Sequence, residues 1–114
     1  MKIYHNSRCS KSRQTLELIR KAGVEPIVID YLSTPPTQSE LSEICGMLGI
    51  DPQDLIRRGE SIYQELDLAN RELSAEEALK VMIENPKLIE RPIVVKNQKA
   101  VLGRPPDNVN SLLD

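Results

Sequence analysis

The apolar residues of this chain change period twice, and that change limits what it can fold into. Near both ends they form short β-type runs; between them they recur at helical spacing. Met1 to Tyr4 reads as a strand, and Pro26 to Leu32, around Ile27-Val28-Ile29-Asp30-Tyr31, reads as another. Between them a helix opening at Ser10 or Ser12 places Leu16, Ile19 and Ala22 on its apolar side and ends at Gly23. A helix joining two strands predicts parallel neighbours in a right-handed crossover. Ser33-Thr34-Pro35-Pro36 then breaks the chain.

Beyond the break the pattern is helical. Thr37-Gln38-Ser39-Glu40 is a capping box leading into Leu41, Ile44, Cys45 and Leu48, with Gly49 closing the helix. A short helical turn is expected around Asp54 to Arg58. Ser74-Ala75-Glu76-Glu77 is a second capping box before Ala78, Leu79, Met82 and Ile83, stopped by Asn85-Pro86. The period then returns to two. Pro92-Ile93-Val94-Val95 and Ala100-Val101-Leu102 read as an antiparallel hairpin, and Pro105-Pro106-Asp107 opens a last helix with Val109, Leu112 and Leu113. The order β-α-β, helices, β-β-α is an α/β, thioredoxin-like layout with a mixed four-stranded sheet. Residues 1–114 read as one such domain, with a helical insertion over about 33–88. Its core must be aliphatic, because the chain has three Tyr and neither Phe nor Trp.

Charge and cysteine content narrow the chemistry. A net charge of -2 lacks the basic face that broad nucleic-acid binding needs. No apolar run reaches transmembrane length. The chain opens on a strand-like segment without a signal-peptide h-region, so a reducing cytoplasm with both thiols free is expected. One His and two Cys do not make a four-ligand zinc set, and no metal site is expected.

Cys9 is the candidate nucleophile. From His5 to Arg13 there are three basic residues, one His and no acid. A strand turning into a helix there sets free N–H groups and the positive helix end beside the sulfur, which lowers a thiol pKa. Cys9-Ser10-Lys11-Ser12 has Ser where a Cys-x-x-Cys motif has its second thiol, so an outside thiol must resolve any adduct. Cys45 shares its helical phase with Leu41, Ile44 and Leu48 and reads as core. Ser10 and Ser12 can serve as plain helix caps. His5 is either a surface histidine or a group that holds Cys9 as thiolate. Arg57, with Arg58 as its neighbouring alternative, Arg91 before Pro92 and Arg104 after Gly103 are candidates for bidentate capture of a tetrahedral oxyanion. Arg91-Pro92 also has the character of a cis-Pro at a strand start.

His5-Asn6-x-x-Cys9-x-x-Ser12-Arg13, Leu55-Ile56-Arg57, Glu90-Arg91-Pro92-Ile93-Val94-Val95 and Gly103-Arg104-Pro105 together resemble the glutaredoxin-dependent arsenate reductase family (ArsC-like), and its YfgD-type branch most of all. The match runs in order over nearly the whole chain. The resemblance implies that Cys9 attacks arsenate while Arg57, Arg91 and Arg104 hold the oxyanion. His5, Ser12 and Arg13 then belong to the thiolate's support. It further implies glutathione as co-substrate, glutaredoxin as partner, and no bound cofactor. Two features differ from the family pattern: Ser7 stands in place of a Pro, and Arg8 and Lys11 stand in place of small residues beside the sulfur. The chain also reads as ending soon after its last helix, without the C-terminal extension of established reductases. Other uses of this fold are a Spx-like RNA polymerase-binding regulator, which would carry the Cys-x-x-Cys that Ser12 breaks, and a monothiol protein acting on glutathione mixed disulfides.

Overall fold

The computed structural model describes residues 1–113 and divides them into two compact units, Met1–Thr34 with the segment from Arg91 onward, and Pro35–Glu90. The first unit holds the sheet. Strands β1 (Lys2–His5), β2 (Ile27–Asp30), β3 (Ile93–Lys96) and β4 (Lys99–Leu102) are ordered β2-β1-β3-β4. β1 runs parallel to β2, with Tyr4 opposite Ile29, and antiparallel to β3, with Ile3 opposite Val94. β3 and β4 form the expected hairpin, closed by Asn97 and Gln98 at φ 49° and 64°. Two left-handed residues give a turn whose twist matches that of the flanking strands.

Helix α1 (Ser10–Lys21) is the crossover between β1 and β2. Its Leu16 and Ile19 pack with Ile3 and Val94 from the sheet and with Val109 and Leu112 from the C-terminal segment. Each buried aliphatic side chain of this kind contributes roughly 1.5–3 kcal/mol. Ala22 is exposed, against the expectation from periodicity. It is already the C-cap, and Gly23 at φ +85° turns the chain away before that position can face the core. The second strand also ends earlier than the sequence suggested: Tyr31 and Leu32 lie in the turn after Asp30. Asp30 accepts from Leu32 N and from Ser33 Oγ there, and this stops the ladder. β2 is an edge strand, and Ile27 is 61% exposed despite its apolar character.

The second unit is helical: α2 (Gln38–Leu48), α3 (Ser61–Glu65) and α4 (Ala75–Glu84), with single 3-10 turns at Pro52–Leu55, Leu68–Asn70 and Pro86–Leu88. Both capping boxes form. Glu40 N donates to Thr37 Oγ1 at 3.1 Å and Thr37 N to Glu40 Oε1 at 3.2 Å; Ser74 and Glu77 repeat the pair. The turn expected at Asp54 to Arg58 starts earlier, because Pro52 fits a first helical position and needs no N–H partner. Ile56 then leaves helical geometry to bridge Ile89, and Arg57 N donates to Leu88 O at 2.6 Å. The last helix of the chain likewise begins as a 3-10 turn, Pro106–Val109, before α5 (Asn110–Leu113). α3 and the turn after it carry too few periodic apolar residues to announce themselves in the sequence.

Candidate active site

The loop between β1 and α1 is built by Asn6 and Ser12. Asn6 O accepts from Cys9 N at 3.0 Å, and Asn6 Oδ1 accepts from Arg8 N at 3.0 Å, so one residue closes the turn twice. Ser12 is fully buried, and its Oγ accepts from Asn6 N at 3.1 Å while lying 2.6 Å from His5 Nδ1. Arg13 Nη1 donates to Ser7 O at 2.8 Å and braces the outer side of the loop. The capping role open to Ser10 and Ser12 is therefore not taken up. Ser10 is exposed, Ser12 faces back toward His5, and Cys9 itself is the N-cap of α1.

That position governs the thiol. Cys9 is half-buried, and burial alone would raise its pKa. The Ser12 N–H, a hydrogen bond from the Arg91 side chain, the Arg91 charge and the Lys11 N–H act the other way. The net result is a thiol below its ordinary value. No side-chain bond of ordinary capping geometry closes this helix end, yet the first-turn N–H groups face the sulfur closely enough to favour its anion. The helix's unsatisfied donors thus turn toward the nucleophile.

His5 contributes differently from a charged partner. Burial lowers its pKa first; the Arg20 and Arg13 charges add to this, and Asp30 opposes it. The ring is neutral near pH 7. Because Asn6 N–H already donates to Ser12 Oγ, the hydroxyl hydrogen is available to Nδ1. His5 reaches Cys9 through Ser12, by fixing the residue whose N–H faces the sulfur.

Of the three candidate anion-binding arginines, Arg91 is tied to Cys9 directly. Arg104 is exposed, and its Nη1 lies 3.4 Å from Arg91 O. Both precede a proline across a cis peptide bond: Arg91-Pro92, as expected, and Arg104-Pro105, which the sequence did not announce. Arg57 belongs to the helical unit. Its Nε is 3.2 Å from Glu60 Oε1 and its Nη1 3.9 Å from Glu90 Oε1, with the side chain 25% exposed. Its neighbour Arg58 is exposed. Cys45 is 2% exposed, and burial pushes its thiol up to about 11. The double turn-closing role of Asn6 was not foreseen, although Asn before Ser-Arg is an Asx-turn signal. Among the described residues, no group of three His, Cys, Asp or Glu side chains is placed to hold a metal ion. No described helix is long and apolar enough to cross a membrane.

The chain is similar to known proteins over nearly its whole length. The sequence profile of the ArsC family matches residues 4–112. The chain is similar to the uncharacterized protein YfgD of Escherichia coli (strain K12), at 51% identity over 96% of this chain and 92% of that one. It is similar to the arsenate reductase of Haemophilus influenzae (strain Rd), at 44% identity over 97% of each. The solved structure of an arsenate reductase from Vibrio cholerae superposes with a TM-score of 0.92, at 46% identity and 97% coverage of both chains.

Proposed function

The chain belongs to the ArsC family, and from that premise we propose that it is an arsenate reductase that uses Cys9 as a monothiol nucleophile. The observation that carries this reading is the thiol at the start of α1, held below its ordinary pKa against burial by the Ser12 N–H and by Arg91. A thiolate that also meets a guanidinium suits attack on a tetrahedral oxyanion: the same cation that stabilises the sulfur anion can take up charge on the substrate oxygens. Arg91, Arg104 and Arg57 are the oxyanion ligands in this reading, and Arg57 would exchange Glu60 or Glu90 for substrate. Ser12 and His5 hold the donor that faces the sulfur; Arg13 holds the loop.

Cys9 sulfur bonds to arsenic and a hydroxide leaves, taking a proton to become water. Glutathione then adds its sulfur to arsenic with loss of a second water. A further thiol attacks that glutathione sulfur, and the As–S electron pair stays on arsenic as As(V) becomes As(III). Hydrolysis of the Cys9–As(III) bond releases arsenite and restores the thiol. In sum, arsenate and two external thiols give arsenite, one disulfide and one water. Glutathione supplies the first thiol, and glutaredoxin is the partner that takes over the mixed disulfide. No cofactor is required, and the setting is a reducing cytoplasm. Ser12 leaves no internal thiol in the motif to do the partner's work.

The test is arsenate-dependent NADPH oxidation coupled through glutathione, glutaredoxin and glutathione reductase, comparing the chain with its Cys9→Ser variant. Cysteine-dependent turnover supports the reading. A reactive Cys9 without turnover would mean that the thiol is right and the oxyanion wrong.

A further inference from the structure

Gly103 links three parts of the proposed site. It lies between the end of β4 and Arg104, and it is buried. Its N–H donates to Pro92 O at 2.9 Å, and its carbonyl accepts from Thr15 Oγ1 at 3.4 Å. Thr15 is fully buried in the second turn of α1, where its hydroxyl also reaches Lys11 O at 2.8 Å. A Cβ at position 103 would overlap Thr15 Oγ1 and sit 2.8 Å from Pro92 Cγ and 3.0 Å from Thr15 Cγ2. No positive φ demands glycine at this position, so the requirement is closeness of packing and not backbone conformation.

From the other side Asn108 closes the same turn. Its Nδ2 donates to Leu102 O at 3.0 Å and to Arg104 O at 3.2 Å, the carbonyls flanking Gly103. The N–H and C=O of Gly103 and the carbonyls on either side of it are therefore fixed, to Pro92, to Thr15 and to Asn108. Pro92 follows Arg91, Lys11 and Thr15 belong to the helix that Cys9 caps, and Arg104 follows Gly103 directly.

We propose that Thr15, Gly103 and Asn108 are positioning residues that lock Arg104 to α1 and to Arg91, so that the oxyanion-binding guanidiniums and Cys9 keep one mutual geometry. This rests on the oxyanion-reductase reading above. None of the three touches substrate. Their effect is on where Arg104 and Arg91 stand, and small displacements of binding groups are enough to lower rates by up to ~100-fold.

The experiment compares Gly103→Ala, Gly103→Ala with Thr15→Ala, and Asn108→Ala with the unaltered chain. It reads KM and kcat for arsenate, the arsenate concentration that half-protects Cys9 from iodoacetamide, and thermal stability. For Gly103→Ala the expected result is a roughly tenfold or greater rise in both KM and the half-protecting concentration. Thr15→Ala in the same chain should recover part of that loss, since it removes the closest clash. Asn108 is exposed, so Asn108→Ala should fold and raise both quantities ~3-fold or more, and it decides the matter if Gly103→Ala does not fold. A merely structural role would lower the melting temperature and leave KM and protection unchanged; that result in Asn108→Ala, or in folded Gly103→Ala, overturns the proposal. If the unaltered chain shows neither turnover nor arsenate protection, the reductase reading fails and this inference fails with it. Turnover with insensitive variants removes the inference alone.

Discussion

The two units each hold one cysteine, and the two thiols are pushed in opposite directions. Burial raises both pKa values. At Cys45 nothing answers it, and the thiol rises to about 11 among the apolar residues of α2. At Cys9 the Ser12 and Lys11 N–H groups and Arg91 reverse the sign. Cys9 stands before the first turn of a helix, where N–H groups have no carbonyl partner. Cys45 stands inside one, where every N–H is already used. The two thiols therefore differ in what opposes burial: helix N–H groups and a guanidinium at Cys9, and no such group at Cys45. The arginines make a parallel contrast: Arg91 meets a thiol, whereas Arg57 meets two carboxylates.

The sharpest way to break this comparison is to exchange the roles of the two thiols. Cys9→Ser should abolish arsenate turnover, whereas Cys45→Ala should retain it within about twofold and lose stability by roughly 1–3 kcal/mol, read by urea unfolding. Activity in the serine variant, or its loss in the alanine variant, would end the contrast. Next in size is Arg91→Ala. It removes both a hydrogen bond to the sulfur and a charge beside it, so the Cys9 pKa should rise and kcat/KM fall about a hundredfold. An alkylation profile against pH that does not move would detach Arg91 from the thiol. In the unaltered chain, alkylation of Cys9 should continue below the ordinary thiol pKa and fall only as pH drops through the lowered value. Cys45 should stay inert until pH approaches about 11. For stability the sign at Cys45 is the reverse of a carboxylate's. The raised folded-state pKa favours the protonated fold, so its contribution is complete below the ordinary thiol value and is lost as pH rises from there toward about 11. Thermal scans at rising pH, with Cys45→Ala as control, check this. The smallest effect is Thr37→Ala, which opens one capping box and should cost about 1 kcal/mol without changing the Cys9 alkylation rate. A change in that rate would mean that the helical unit tunes the thiol.

Local chemistry was readable wherever neighbours in sequence are neighbours in space. Both capping boxes, the Gly23 and Gly49 helix ends and the hairpin follow from residues within a few positions of each other. So does the placement of a cysteine among basic residues at a strand-to-helix turn. The β-α-β crossover follows from the order strand, helix, strand. Elements without a period, such as α3, were not visible. Boundaries slipped where a side chain competed with the ladder, as Asp30 does at the end of β2. Arg57 was expected at the end of a helical turn, and the Ile56–Ile89 bridge took it out of one.

By itself the sequence determined the fold class, the order of the elements, and which thiol lies where helix donors are free. Those follow from periodicity and from the geometry of one helix end. Only the tertiary structure decided that Ser12 serves His5 and Asn6 and not its own helix end, that Arg91 reaches Cys9 from the bend just before β3, and that Gly103 must be glycine because Thr15 fills the space its Cβ would need. These contacts join residues up to 88 positions apart. Their distances are set by how α1 packs on the sheet, and no local pattern encodes that.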